Sequence, residues 1–142
     1  MKKYELTEES IEIYGTKLFR IKAIVNFDNI KAGDIGGYIE KEENLSHDGN
    51  AWAYGDAKVC GNAKVCGNAD YTTIKGFGTM LRSTTFFRCK SGDVKVSCGC
   101  FLGTIDDFRE QVKNTREGKI AEEYLMIADL MEYHFKGDKN GE

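Results

Sequence analysis

The chain has 142 residues, with 20 Lys and Arg against 23 Asp and Glu for a net charge of −3; this length suits one domain, or one small domain with an appendage, and this charge argues against a dedicated binder of polymeric nucleic acid. There is no proline, which argues against a stalk or flexible linker, no apolar run long enough to span a membrane, and no signal peptide. Five cysteines, an odd number without framework spacing, CxxC or a Cys/His pair, point to a reducing cytosol and away from zinc.

Residues 3–25 read as antiparallel strands. KYEL leads into EESIEI, Tyr14-Gly15-Thr16 turns the chain, and Phe19, Ile21 and Ala23 alternate with Lys17, Arg20 and Lys22 as in a half-buried strand. NFDNIKAGDIGG follows as a turn-rich connection, so residues 1–34 form an N-terminal β cap.

A repeat of period six comes next. Ala recurs at 51, 57, 63 and 69, and Gly at 55, 61 and 67, each Gly followed by Asp56, Asn62 or Asn68. Ala53, Val59 and Val65 stand two places after the first three alanines. A helix of period 3.6 does not produce this pattern, whereas short extended runs broken at Gly-Asn/Asp corners do. The small and aliphatic positions point inward; Trp52 and Tyr54 alternate with them and point outward, to stack a ligand or to meet another subunit. The pattern resembles the hexapeptide repeat of left-handed β-helices, and that resemblance supplies the handedness and the count of three hexads per triangular coil. Stepping back through Leu45 and Ile39 gives six hexads over 35–70, or two coils. So short a solenoid needs caps or oligomer partners.

In 71–103 the repeat decays and a β-hairpin follows, LRSTTFFRCK-SG-DVKVSCGCF, with a two-residue Ser91-Gly92 turn. That turn pairs Arg88 with Lys95 and Phe86 with Ser97. It places Thr85, Phe87, Cys89, Val94, Val96 and Cys98 on a core face. The opposite face holds Arg82, Thr84, Phe86, Arg88, Lys95, Ser97 and Phe101: three cations, two hydroxyls and two aromatics without a carboxylate. Such a face suits a phosphorylated ligand with a base, held by Arg forks and aromatic stacking. The alternative is a solvated face, or one covered by the C-terminal helices.

GCFLGT reads as a loop into a helix start, where Thr104 and Asp107 form a capping box. Capping competes there with anion binding by free N–H groups, and Asp106 and Asp107 favour capping. Residues 104–142 hold two helices. The first has a stripe of Ile105, Phe108 and Val112 and is broken by NTREGK; the second spans about Ile120 to Phe135 with Tyr124, Ile127, Ala128 and Met131 inward, and Gly137 stops it. His47 and His134 show no carboxylate or nucleophile partner in sequence, and no cysteine shows a base, which leaves the chain without an evident catalytic pair.

Leu18-Phe19-Arg20-Ile21, Gly33-Asp34-Ile35-Gly36-Gly37-Tyr38-Ile39, Asn44-Leu45, Gly49-Asn50-Ala51-Trp52, the hexads, Gly99-Cys100-Phe101 and Gly103-Thr104 occur in that order. In this the chain resembles phage-encoded hexapeptide-repeat proteins. The expected fold is mainly β: an N-terminal antiparallel cap, a short left-handed β-helix, a β-hairpin and a C-terminal two-helix appendage. The resemblance implies a homo-oligomer, a trimer or a dimer of trimers, in the host cytoplasm. The expected function is non-enzymatic sequestration of a small anionic, nucleotide-derived immune signal at an oligomer interface, without a cofactor. A hexapeptide-repeat acyltransferase using a histidine base and a ligand-free assembly protein are the alternatives.

Overall fold

The computed structural model describes residues 2–13, 15–78, 82–98 and 101–136, with Arg82 described in its backbone alone. The expected Tyr14 turn residue, Gly99, Cys100 and Gly137 lie outside the described residues.

Strand β1 (Tyr4–Ile13) runs antiparallel to β2 (Thr16–Ala23), as the alternation suggests. β2 pairs antiparallel with β3 (Ile35–Ile39), and β3 pairs in parallel with the two-residue β4 (Lys58–Val59). The β2–β3 register shifts between Arg20 and Lys22. That irregularity changes the inward phase, so Leu18 rather than Phe19 joins Ile21 and Ala23 in the core. The second sheet, β5 (Tyr71–Phe77), β6 (Arg82–Arg88), β7 (Val94–Cys98) and β8 (Phe101–Thr104), is antiparallel throughout. Helices α1 (Ile105–Thr115) and α2 (Gly118–Phe135) follow.

The left-handed β-helix expected over 35–70 is not the architecture. Among the described residues, two four-stranded sheets and two helices make up the fold. After β3, the segment before β5 contributes β4, single bridges from Leu45 to Val65 and from Ala63 to Cys89, and two short 3₁₀ turns. The inward pattern survives this correction up to Val65: Ala51, Ala53, Ala57, Val59, Ala63 and Val65 are buried, whereas Ala69 is exposed in the 3₁₀ turn Asn68–Asp70. Gly55 (φ 56°) and Gly61 (φ 63°) make left-handed corners. A six-residue period specifies a local path of run and corner. It does not specify what the run packs against, and here that is the two flanking sheets.

Trp52 departs from its expected outward position. It is 1% exposed, packed edge-on to Phe27 at 5.5 Å and near Tyr4 at 6.4 Å between ring centroids. Its N–H donates to Asn68 Oδ1 (2.9 Å) and its carbonyl accepts from the Tyr71 hydroxyl (2.7 Å). Side chains, not a strand ladder, satisfy this backbone, so Ala51, Trp52 and Ala53 need not alternate and all three are buried.

The second sheet stands between two cores. Tyr71, Phe87 and Cys89 join the core of the first sheet and the repeat. Phe86, Val96 and Cys98 join Phe108, Val112, Tyr124, Ile127, Ala128, Met131 and Phe135 of the helices. GCFLGT is strand rather than loop in its described part, because Phe101–Thr104 pairs with β7. The capping box forms as read: Asp107 N–H donates to Thr104 Oγ1 (3.0 Å), and Thr104 N–H to Asp107 Oδ2 (3.1 Å).

Candidate functional site

The hairpin pairs one residue away from the two-residue-turn register. Arg88 lies opposite Val94, Phe87 opposite Lys95, Phe86 opposite Val96, and Thr85 opposite Ser97. The loop has three residues: Cys89 N–H donates to the Asp93 carbonyl (2.7 Å), Gly92 N–H to the Cys89 carbonyl (2.9 Å), and Gly92 takes φ 94°. A slip of one residue exchanges the faces of β7 relative to β6. Clean separation of polar and apolar sets did not decide the register, because β6 is covered on both sides.

The seven residues expected on one basic aromatic face are therefore not together on an open surface. Thr84, Phe86 and Ser97 are buried, at 2%, 0% and 0% exposure. Phe86 and Phe101 each lie 5.9 Å from the Phe108 ring, under the helices. Ser97 and Lys95 belong to the other face, where Ser97 Oγ donates to the Lys58 carbonyl (2.9 Å). Lys95 is half-buried, and Arg82 lies opposite Phe77 at the end of β6.

Arg88 closes the end of α2. Its Nε reaches Asp70 Oδ1 (3.3 Å), an Nη donates to the Phe135 carbonyl (3.4 Å), and the guanidinium sits 5.3 Å from the Phe135 ring centroid. A cation at a helix C-terminus meets the negative end of the dipole. Arg88→Ala is expected to lower the stability measured by urea denaturation by about 1 kcal/mol, since both partners of the ion pair are partly exposed. The loss shows first as faster amide exchange in the last turn of α2.

His47 has a carboxylate partner that its sequence neighbourhood did not reveal. Lys3 N–H donates to His47 Nδ1 (3.1 Å), and Nε2 bonds Glu42 Oε1 (2.9 Å). The ring stacks on Tyr4 at 4.1 Å. Nδ1 accepts, so Nε2 carries the proton, and both nitrogens are occupied within the fold. The bond from His47, aided by Lys2, holds the Glu42 carboxyl below its ordinary range. His134 is exposed on α2. Among the thiols, burial pushes Cys60 up to about 12 and also raises Cys89. Among the described residues, no cluster of three His, Cys, Asp or Glu could hold a metal ion.

A different constellation forms where two alternating segments lie side by side. One is Tyr54-x-Asp56-x-Lys58, at a Gly corner of the repeat; the other is Tyr71-x-Thr73-x-Lys75 on β5. The Tyr71 hydroxyl accepts from Tyr54 N–H (2.9 Å), and Lys75 Nζ approaches Asp56 Oδ2 (3.5 Å). Lys58 N–H donates to Thr85 Oγ1 (3.1 Å), itself 3.2 Å from Thr73 Oγ1. Tyr54, Asn68, Tyr71, Thr72 and Thr73 line an open hollow of ≈ 300 Å³. The Tyr54 side of it is accessible, with that residue 41% exposed.

Cations gather at the Lys end. Arg20 donates to Tyr38 Oη (2.8 Å), Asp56 Oδ1 (3.3 Å), Glu9 Oε2 (3.2 Å) and the Gly36 carbonyl (2.6 Å), and lies 4.3 Å from the Tyr38 ring centroid. Arg20, Lys58 and Lys75 thus stand against Asp56 and Glu9, one positive charge in excess. Hydrogen bonding from Arg20, then Lys75, holds the Asp56 carboxyl below its ordinary range. Burial lowers Lys58, with Asp56 opposing, and its Nζ donates to the Asp56 carbonyl (3.3 Å). Chemically, the hollow offers aromatic rings, hydroxyls and an amide, and the cations stand beside Asp56 farther along the same two segments.

The chain matches no family profile, and no solved structure matches it. It is 42% identical over 62 residues to the "Uncharacterized acetyltransferase YdcK" of Escherichia coli (strain K12). The match takes in 38% of this chain and 19% of that protein, so the chain spans about a fifth of the length of the curated relative it matches. This similarity is compatible with a hexapeptide-repeat protein. Among the described residues, no helix is long and apolar enough to cross a membrane.

Proposed function

We propose that the chain binds and sequesters, without converting it, a small anionic nucleotide-derived ligand, and that it does so as a phage-type protein acting in the host cytoplasm. The observation that carries this reading is that the Tyr54–Lys58 and Tyr71–Lys75 segments lie side by side, with Tyr54 and Tyr71 lining one hollow and Lys58 and Lys75 gathered at Asp56 farther along the same segments. Tyr54 stacks the base, Asn68 and Thr72 hydrogen-bond the sugar, and Lys75 and Lys58 hold phosphate. On this reading the site lies at the repeat corner beside β5 rather than on the hairpin face.

The test is to incubate the purified protein with a panel of cyclic nucleotides and cyclic ADP-ribose isomers, remove free ligand, denature the protein and analyse what is released. Intact ligand is the expected result, and no retention from any of the panel sinks the reading. Tyr54→Ala is expected to weaken retention roughly 10-fold, the loss of one stacked base. Lys75→Ala weakens it further at low salt than at high salt. Neither substitution removes core, so the thermal midpoint stays near that of the wild type.

The acetyltransferase name of the matched relative favours a second reading, acyl transfer at the same hollow. In the same release assay it gives altered ligand, and with acetyl-CoA it gives free thiol.

A further inference from the structure

α2 carries apolar residues on two faces. The inner face is filled by the second core. On the outer face, Met126, Leu130 and Tyr133 are 67%, 57% and 77% exposed. Their spacing of four and then three is that of a heptad seam, so they form one stripe pointing away from the core. The rest of this face is charged or polar: Lys119, Glu122, Glu123, Asp129 and His134 are on it, and Lys136 stands at the C-cap. A contiguous apolar stripe of this kind in a charged rim marks a contact surface.

We propose that this stripe is the interface with a second copy of the chain, joined through antiparallel pairing of the two α2 helices about a two-fold axis. Charge argues for this occupant and this direction. Glu122, Asp129 and Lys136 recur every seven residues along one flank of the stripe. Antiparallel pairing sets Glu122 of each copy beside Lys136 of the other, twice by symmetry. In the same register Leu130 of one copy meets Met126 of the other, and Tyr133 comes over Glu123 with its hydroxyl toward the carboxylate. The two Asp129 side chains approach the axis as like charges. Each is already held by Arg109 Nη2 (2.9 Å), which also binds Glu132. Parallel pairing instead stacks Glu123 on Glu123 within the seam. The seam is short, so the dimer is concentration-dependent rather than permanent.

The test is sedimentation equilibrium on the full chain over a wide concentration range. The wild type is expected to pass from one chain to two as concentration rises, and Leu130→Glu to remain at one chain with unchanged helical circular dichroism. Glu122→Lys or Lys136→Glu alone is expected to weaken association roughly 3- to 10-fold, and the two together to restore it. A wild type that stays at one chain overturns the proposal, as does an assembled mass that Leu130→Glu leaves unchanged. Failure of the double exchange to restore association overturns the antiparallel arrangement. A protein that remains monomeric but co-sediments with phosphatidylcholine–phosphatidylglycerol vesicles through the stripe also overturns it, with lipid as the occupant.

Discussion

Replacing Trp52 with alanine lowers the unfolding free energy by about 3–5 kcal/mol, near the upper range for a buried aromatic. The indole is 1% exposed in a core lined by Tyr4 and Phe27. The cavity left behind cannot close easily, because the chain around it already touches at its limit. A Cβ placed on Gly36 would come within 2.7 Å of Trp52 Cζ2, 2.7 Å of the Ala53 carbonyl oxygen and 2.8 Å of Ile21 Cγ1. Apart from the indole itself, β3 is thus pressed onto the Ala53 carbonyl and the Ile21 side chain, which limit its movement inward. Trp52→Phe recovers part of the loss by refilling part of the volume. Trp52 is the one tryptophan of the chain, so the comparison is made by circular dichroism in urea rather than by indole fluorescence.

Asn44→Ala is expected to cost a similar amount, about 3–5 kcal/mol, through hydrogen bonds rather than volume. Asn44 is fully buried, and its amide makes four bonds to backbone. Oδ1 accepts from Glu40 N–H and Lys41 N–H, both at 3.1 Å, and Nδ2 donates to the Gly61 and Ala63 carbonyls, both at 3.1 Å. Alanine takes the side-chain partner from Lys41 N–H and from the Gly61 and Ala63 carbonyls, while Glu40 N–H keeps the Val59 carbonyl (3.2 Å). Asn44→Asp separates the two halves of this set. The carboxylate keeps the two accepted bonds but places negative charge against two carbonyl oxygens, so burial and repulsion raise its pKa above that of the unfolded chain. A raised carboxyl pKa favours the native state of this variant as pH falls, because the protonated acid donates one of the lost bonds. Its urea midpoint, compared with that of the wild type, should therefore rise from neutral toward mildly acidic pH. A midpoint difference that stays constant would mean that the repulsion at Gly61 and Ala63 is not the source of the loss.

Local features were legible in the sequence wherever chemistry and geometry are both local. The Thr104–Asp107 capping box, the helix stripe of Phe108 and Val112, and the buried alanines and valines of the repeat all depend on neighbours a few residues away. Longer-range features were not legible. The hairpin register turned on whether Lys90 stands in the loop or in the strand, and alternation on β6 is silent there because both of its faces are buried. Trp52 points inward because Asn68 and Tyr71 take its backbone groups, a fact no period of six contains. The fold itself was misread by extending a local path into a solenoid. For the candidate site, Tyr54 was legible in the sequence as an outward aromatic, for a ligand or for another subunit, but Asp56, Lys58 and Lys75 did not stand out. Each is an ordinary surface charge until β5 is laid beside the repeat corner. The signal was present only as two matching alternations, Tyr-x-Asp-x-Lys and Tyr-x-Thr-x-Lys.

β6 has a consequence for how the molecule comes apart. Phe87 completes the core on one side and Phe86, its chain neighbour, completes the core on the other. The wall between the two compartments is one strand thick, and neither compartment has a wall of its own on that side. Removing the helices would bare Phe86 and Val96 to water on the back of a sheet whose front still holds the N-terminal half. Loosening the repeat would strip Phe87 and Cys89 in the same way. Cooperativity is thus built into a single sheet, with β6 contributing to both sides: the halves share a boundary, and neither can lose its order while leaving the other whole.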